Sequence, residues 1–225
     1  MSGREAILGK LRAQAAHGAD NTKRRAAVAN RLAGAPTGVI PKRGQLPADE
    51  KTNLFCHNAE SVQTGITRVA SYDAVPEAVA DFLRSKNLPQ HVRMGQDKRL
   101  SAVPWDVVPL LKREQGAANG ADTTGLSHAK AAIAETGTLV ITSGSDNPTS
   151  VNFLPENHVV VVDARDIEGD LEAALGRVRD EHGKGRMPRT VNMITGPSRS
   201  GDIEQTILLG AHGPRTLHVI VVDGS

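Results

Sequence analysis

The run His158-Val159-Val160-Val161-Val162 is apolar on both faces of any strand it forms. A strand with no side for water belongs between two layers, the usual place of a parallel strand in an α/β protein. An amphipathic stretch follows at Asp166–Arg179, with Ile167, Leu171, Ala174, Leu175 and Val178 on one stripe. Then come a β run at Val191–Thr195, a helix expected at Ser200–Leu209 and a strand at Leu217–Asp223. This β-α-β-α-β order over 158–223 favours parallel strands joined by right-handed crossovers. The same alternation extends upstream. A helix ends within Asn58–Thr64, strands are expected at Ile66–Ala70, His91–Met94 and Leu139–Thr142, and Val75–Ser85 is helical with Pro76 in its first turn. The expected class is α/β, a three-layer arrangement around a mostly parallel sheet.

Composition agrees. The aromatic residues are Phe55, Tyr72, Phe82, Trp105 and Phe153 alone, so the core must be Val, Ile, Leu and Ala. So few aromatic platforms disfavour nucleic-acid recognition by base stacking. Twenty-seven basic and 25 acidic residues are interspersed, apart from a basic excess around Lys23–Arg25 and Lys42-Arg43 that reads as a solvated face. Cys56 is the single cysteine, which leaves no intrachain disulfide, Cys-rich zinc site or iron–sulfur cluster to this chain alone. The eight histidines form no HxxxH or HExxH pattern, so no metal site is expected. The sequence contains neither an apolar run of membrane-spanning length nor a signal-peptide core, and the expected location is the cytoplasm. Residues 1–50 read as a helical arm ending in a Pro/Gly-rich linker, ahead of an α/β domain at 51–225.

Three segments carry chemistry. In Thr195-Gly196-Pro197-Ser198-Arg199-Ser200-Gly201-Asp202, glycines and hydroxyls precede the expected helix, whose N-terminus attracts anions, with Arg199 adding charge. The alternative is that Ser198 or Ser200 is only a cap. The segment is neither a Walker A loop nor a dinucleotide fingerprint. In Glu135-Thr136-Gly137-Thr138, a carboxylate beside two hydroxyls can bind, act as base or act as nucleophile. Alternatively Glu135 ends a short helix with Gly137 as its C′ residue. Ser143-Gly144-Ser145-Asp146 is a further candidate anion loop or an ordinary turn. In Gly210-Ala211-His212-Gly213-Pro214, His212 is an anion partner or proton carrier, or else a stabiliser of terminal carbonyls. His128 and His158 read as core-edge residues.

Several of these blocks are similar to one family. The runs Ala132-Ile133-Ala134-Glu135-Thr136-Gly137-Thr138-Leu139-Val140 and Leu154-Pro155 before His158–Val162 resemble the LUD domain. So do Thr195–Arg199 with Asp202-Ile203-Glu204, Gly210-x-His212-Gly213-Pro214 and Leu217-His218-Val219-Ile220. Together, over about residues 55–223, they resemble the lactate utilization protein C family. The resemblance implies a fold like that of ribose-5-phosphate isomerase and the CoA transferases. It also implies a place beside two iron–sulfur partner proteins that oxidise L-lactate to pyruvate, with no cofactor held by this chain. Catalysis on a small acid or acyl-CoA by Glu135, and a purely structural role, are the alternatives. Lys130 stands where such members often carry an acid, so a role for that acid does not carry over.

The isolated protein is expected to be colourless and free of iron, zinc and flavin. Elemental analysis and an absorption spectrum check this, and stoichiometric iron would overturn it.

Overall fold

The computed structural model describes residues 3–17, 21–34, 38–183, 185–201 and 208–224. The chain divides into two compact units, Met1–Val39 and Ile40–Ser225. The first contains helices α1 (Gly3–His17) and α2 (Asn21–Gly34), whose apolar residues Ile7, Leu11, Val28 and Leu32 are largely exposed.

The second unit opens with a segment that packs onto its own body. Gly44 approaches Gly169 so closely that a Cβ on it would lie 2.0 Å from the Gly169 carbonyl oxygen. Gln45 donates to Asp170 at 2.8 Å. Then follow α3 (Ala48–Ser61), β1 (Gly65–Val69), α4 (Val75–Ser85), β2 (His91–Met94), α5 (Lys98–Ala102), β3 (Lys112–Gln115), β4 (Thr124–His128), β5 (Ala131–Ile133) and β6 (Thr138–Thr142). The chain continues through α6 (Thr149–Phe153), β7 (Asn157–Asp163), β8 (Ile167–Glu168), α7 (Leu171–His182), β9 (Val191–Ile194), β10 (Arg199–Ser200), β11 (Leu208–Leu209) and β12 (Thr216–Val222).

Among the described residues, six strands form a parallel sheet in the order β1-β12-β7-β4-β2-β3. Strand β7 lies inside it with all seven residues buried. Alternation splits its valines between two cores. Val159 and Val161 meet Val79 and Leu83 of α4 and Leu100 of α5 on one face. Val160 and Val162 meet Phe55 and Ala59 of α3 and Leu139 and Ile141 of β6 on the other. Pro76 sits in the first turn of α4, where the missing N–H costs no intrahelical bond. The α/β class, the mostly parallel sheet with flanking helices and the N-terminal helices are as the sequence predicts.

The tail differs from its expected single-sheet course. Strand β9 leaves the main sheet and pairs antiparallel with β6, in a four-stranded sheet of order β8-β5-β6-β9 whose far side is covered by Ala174 and Val178 of α7. A short apolar run after a helix has the same pattern for either sheet; the exposure of Met193 in β9 is the difference from β7. Helix α7 begins at Leu171, capped by the Asp170 side chain, so Ile167 is a buried strand residue and not part of the helical stripe. The helix expected at Ser200–Leu209 is not borne out at its ends. Arg199–Ser200 and Leu208–Leu209 pair as an antiparallel ladder, and residues 202–207 between them lie outside the described residues.

Removing residues 1–39 is expected to leave one cooperative thermal transition with little change in midpoint. Cutting further, to Ala48, removes the Gln45–Asp170 bond and the Gly44 contact and is expected to lower the midpoint by roughly 5 °C or more. Loss of cooperative melting in the shorter truncation would show that the first unit is needed by the body.

Candidate functional site

Residues from two of the singled-out segments meet at one place. Thr195, Gly196, Pro197, Ser198, Arg199 and His212 line a cavity of about 270 Å³ together with Asn152, Phe153, His158 and Leu217. The backbone holds the two loops in contact: Ser198 N–H donates to the Pro214 carbonyl at 2.8 Å, and Gly210 N–H donates to the Ser198 carbonyl at 2.9 Å. Ser198 is therefore bound on both sides by loop backbone in a turn leading to β10. The helix N-terminus expected to attract an anion is replaced at Arg199–Ser200 by strand. Arg199 is exposed at the cavity and spends one N–H on the Val62 carbonyl. Asp202 lies outside the described residues.

The inner wall is polar and closed to solvent. His158 and Asn152 are 1% and 0% exposed. His158 Nε2 shares a 2.6 Å hydrogen bond with Ser127 Oγ of β4, and burial lowers its pKa to about 3, so the ring is neutral. Neither the Nδ2 nor the Oδ1 of Asn152 has a hydrogen-bond partner. Asn152 escaped the sequence reading, although a lone carboxamide inside Val151-Asn152-Phe153-Leu154 is a legible signal.

Glu135, Thr136 and Thr138 border the adjoining recess of about 250 Å³, which shares Met193 and Thr195 with the first. Here Glu135 ends no helix. Strands β5 and β6 form a hairpin closed by Gly137 N–H donating to the Ile133 carbonyl at 3.0 Å. Gly137 takes a φ of +66°, and a Cβ there would lie 2.4 Å from the Ala59 nitrogen of α3, so only glycine fits. Thr136, Thr138 and Thr195 form a chain of hydroxyls with 2.7 Å at each step. The nearly buried Glu135 carboxylate accepts from Arg43 at 3.3 Å. Ser143 and Gly144 belong elsewhere. They follow the far end of β6, roughly 16 Å along the strand from Thr138, where Ser143 Oγ accepts from Thr190 N–H at 2.9 Å.

The cavity's place in the sheet also departs from expectation. Ligands in open α/β sheets gather at carboxyl ends, yet His158 and Leu217 are second residues of β7 and β12, at their amino ends. The carboxyl ends instead border an open cleft of about 960 Å³ walled by paired charges. Lys130 meets Glu181 at 2.9 Å and Asp146 at 3.2 Å, while Arg99 and Arg177 meet Asp166 at 2.8 and 2.9 Å. Near those ends, the Nδ1–H of His128 donates to the Ala129 carbonyl at 2.7 Å, leaving Nε2 to accept from the Tyr72 hydroxyl at 2.9 Å. Burial lowers His128 to about 4 and pushes Tyr72 up to about 12, so both are neutral. His91, Glu114 and Asp122 converge at the other edge of the sheet, but the Arg93 guanidinium is already bound there, 2.7 Å from Glu114 and 3.0 Å from Asp122. Burial also raises the pKa of the Cys56 thiol, the opposite of activation.

The LUD domain pattern matches residues 52–222, which include both recesses and the cleft. The chain belongs to the LUD domain family. Proteins named "Lactate utilization protein C" from Oceanobacillus iheyensis and Halalkalibacterium halodurans are each 32% identical over 191 residues, covering 78% of this chain and 81% of theirs. A relative of the same name from Shouchella clausii is 34% identical over 99 residues, 44% of this chain and 43% of its own. In fold, this LUD protein is similar to a DUF162 family protein from Deinococcus radiodurans, with a TM-score of 0.61 at 22% identity over 79% of this chain and 99% of that one. No helix among the described residues is long and apolar enough to cross a membrane.

The buried histidines of this LUD domain set an acid limit on its stability. His128, His158 and His218 are held mainly by burial at about 4, 3 and 4, below their ordinary 6.5. The unfolded chain binds their protons first, so their contribution is full above pH 6.5 and is lost as pH falls from there through 4. The thermal midpoint is expected to drop by roughly 10 °C or more between pH 7 and pH 5. A midpoint flat across that window would contradict neutral burial.

Proposed function

We propose that this chain is a component of a system that oxidises L-lactate to pyruvate, working in the cytoplasm and supplying a small-carboxylate site without a redox centre of its own. The observation that carries the reading is the gathering of Arg199 and His212 at the mouth of one cavity, above a neutral polar wall. Arg199 offers a planar fork suited to a carboxylate. The names of the relatives support lactate utilization as the setting. Converting lactate to pyruvate releases two electrons and two protons, from the C2–H and O–H bonds. A chain with one cysteine cannot hold an iron–sulfur cluster by its own thiolates, which fits the iron–sulfur partner proteins that the resemblance to the lactate utilization protein C family implies.

Reconstitution with those partners tests this. Lactate-dependent reduction is expected from the full set and not from the partners alone. Arg199→Lys keeps the charge and loses the fork, and is expected to cut the lactate-dependent rate roughly tenfold with melting unchanged. Undiminished reduction by the partners alone would overturn the proposal. Turnover of an acyl-CoA by the isolated chain would favour instead a transferase role for Glu135, which lines the adjoining recess.

A further inference from the structure

Asn152 is out of place as a structural residue. It is 0% exposed, and among the described residues it is the one buried side chain with two separate polar atoms, a donor and an acceptor, both lacking partners. Leaving such groups unpaired costs free energy that an apolar side chain of similar shape would avoid. Asn152 is among the residues lining the cavity whose mouth carries Arg199 and His212. Phe153, Met193 and Leu217 add apolar surface to the lining.

A carboxamide presents a hydrogen-bond donor and an acceptor side by side. Its complement is a ligand with an acceptor and a donor on adjacent carbons. We propose that Asn152 makes this cavity selective for a small 2-hydroxy carboxylate over the 2-oxo acid of equal length, an inference that rests on the carboxylate-site reading above. Nδ2 donates to a carboxylate oxygen, and Oδ1 accepts the 2-hydroxyl proton. A 2-oxo acid offers a lone pair where Oδ1 needs a proton, and an unsubstituted acid offers nothing there. Sites built to bond a hydroxyl reject analogues that lack it far more strongly than apolar pockets reject a methylene, because the buried polar group is left unpaired. The site would thus hold the reduced acid and release its oxidised form.

The test is calorimetric titration of the full-length protein with L-lactate, pyruvate and propionate, three acids of three carbons. Wild type is expected to bind lactate at least about 10-fold more tightly than either of the others. Asn152→Leu is expected to keep or raise the melting midpoint and to bring the three affinities within about 2-fold of one another. Asn152→Ser provides the same comparison if the leucine variant does not fold. Equal binding of the three acids by wild type would overturn the role of Asn152 while leaving the carboxylate site standing. Absence of binding by any of them at millimolar concentration would remove the carboxylate site and this inference together. Selectivity that survives both substitutions would assign it to another group and overturn the proposal.

Discussion

Strand β7 is held between β12 and β4 by parallel pairing along its length, from Asn157 beside Thr216 and Thr124 to Asp163 beside Val222. Each buried valine contributes about 1.5–3 kcal/mol relative to exposure, and the four of β7 divide between opposite faces of the sheet. No register shift by one residue is tolerated, because it would send the set facing α4 toward α3 and the reverse. That constraint locates everything else. It places His158 on the α3 side, opposite Leu217, at the amino end of the strand. It also aligns Ser127 of β4 beside Val160, within reach of the His158 ring.

The small sheet turns that fixed frame into a recess. Strand β9 must run antiparallel to β6, which delivers Thr195–Arg199 past the amino ends of β7 and β12 and not past their carboxyl ends. The β5–β6 hairpin sits against α3 because Gly137 lacks the Cβ that would strike the helix backbone. Asn58 of α3 reinforces the contact by donating to the Ala134 carbonyl at 2.8 Å. The hydroxyl chain through Thr136, Thr138 and Thr195 then crosses from hairpin to loop. The candidate site is thus a product of the join between two sheets, and a single parallel sheet would not have made it.

Much of this was legible in the sequence, and the boundary of legibility has a physical reason. Strands β1, β2, β6, β7 and β12 and helix α4 follow from local pattern, because each is a short β-branched run or an amphipathic stretch that shows in the residues themselves. The loop residues Thr195–Arg199 and His212 were recognisable by type, and they do meet. The assignment of β9 to a second sheet was hidden, since pairing partners leave no periodic trace. The ends of the Ser200–Leu209 segment misled because Gly and Ser beside an apolar run flank a strand as readily as a capped helix. Glu135 misled likewise, since Gly137 with positive φ ends helices and closes hairpins alike. Asn152 was passed over, and His158 read only as a core-edge residue, because a polar residue in an apolar run gains meaning only when its partners are known.

The distribution of charge within the site follows from the same burial. Groups deep in the fold are kept neutral: His158 by desolvation, Asn152 by its chemistry. The Arg199 guanidinium is confined to the rim, where it and His212 are exposed. A buried cation without a partner would carry a desolvation cost of several kcal/mol, whereas a hydrated one attracts an anion at no such cost. In the proposed site, an entering acid would meet charge first and directional hydrogen bonding last. In that order the rim would select for a carboxylate and the wall for what lies next to it, each step using the environment in which its interaction discriminates best.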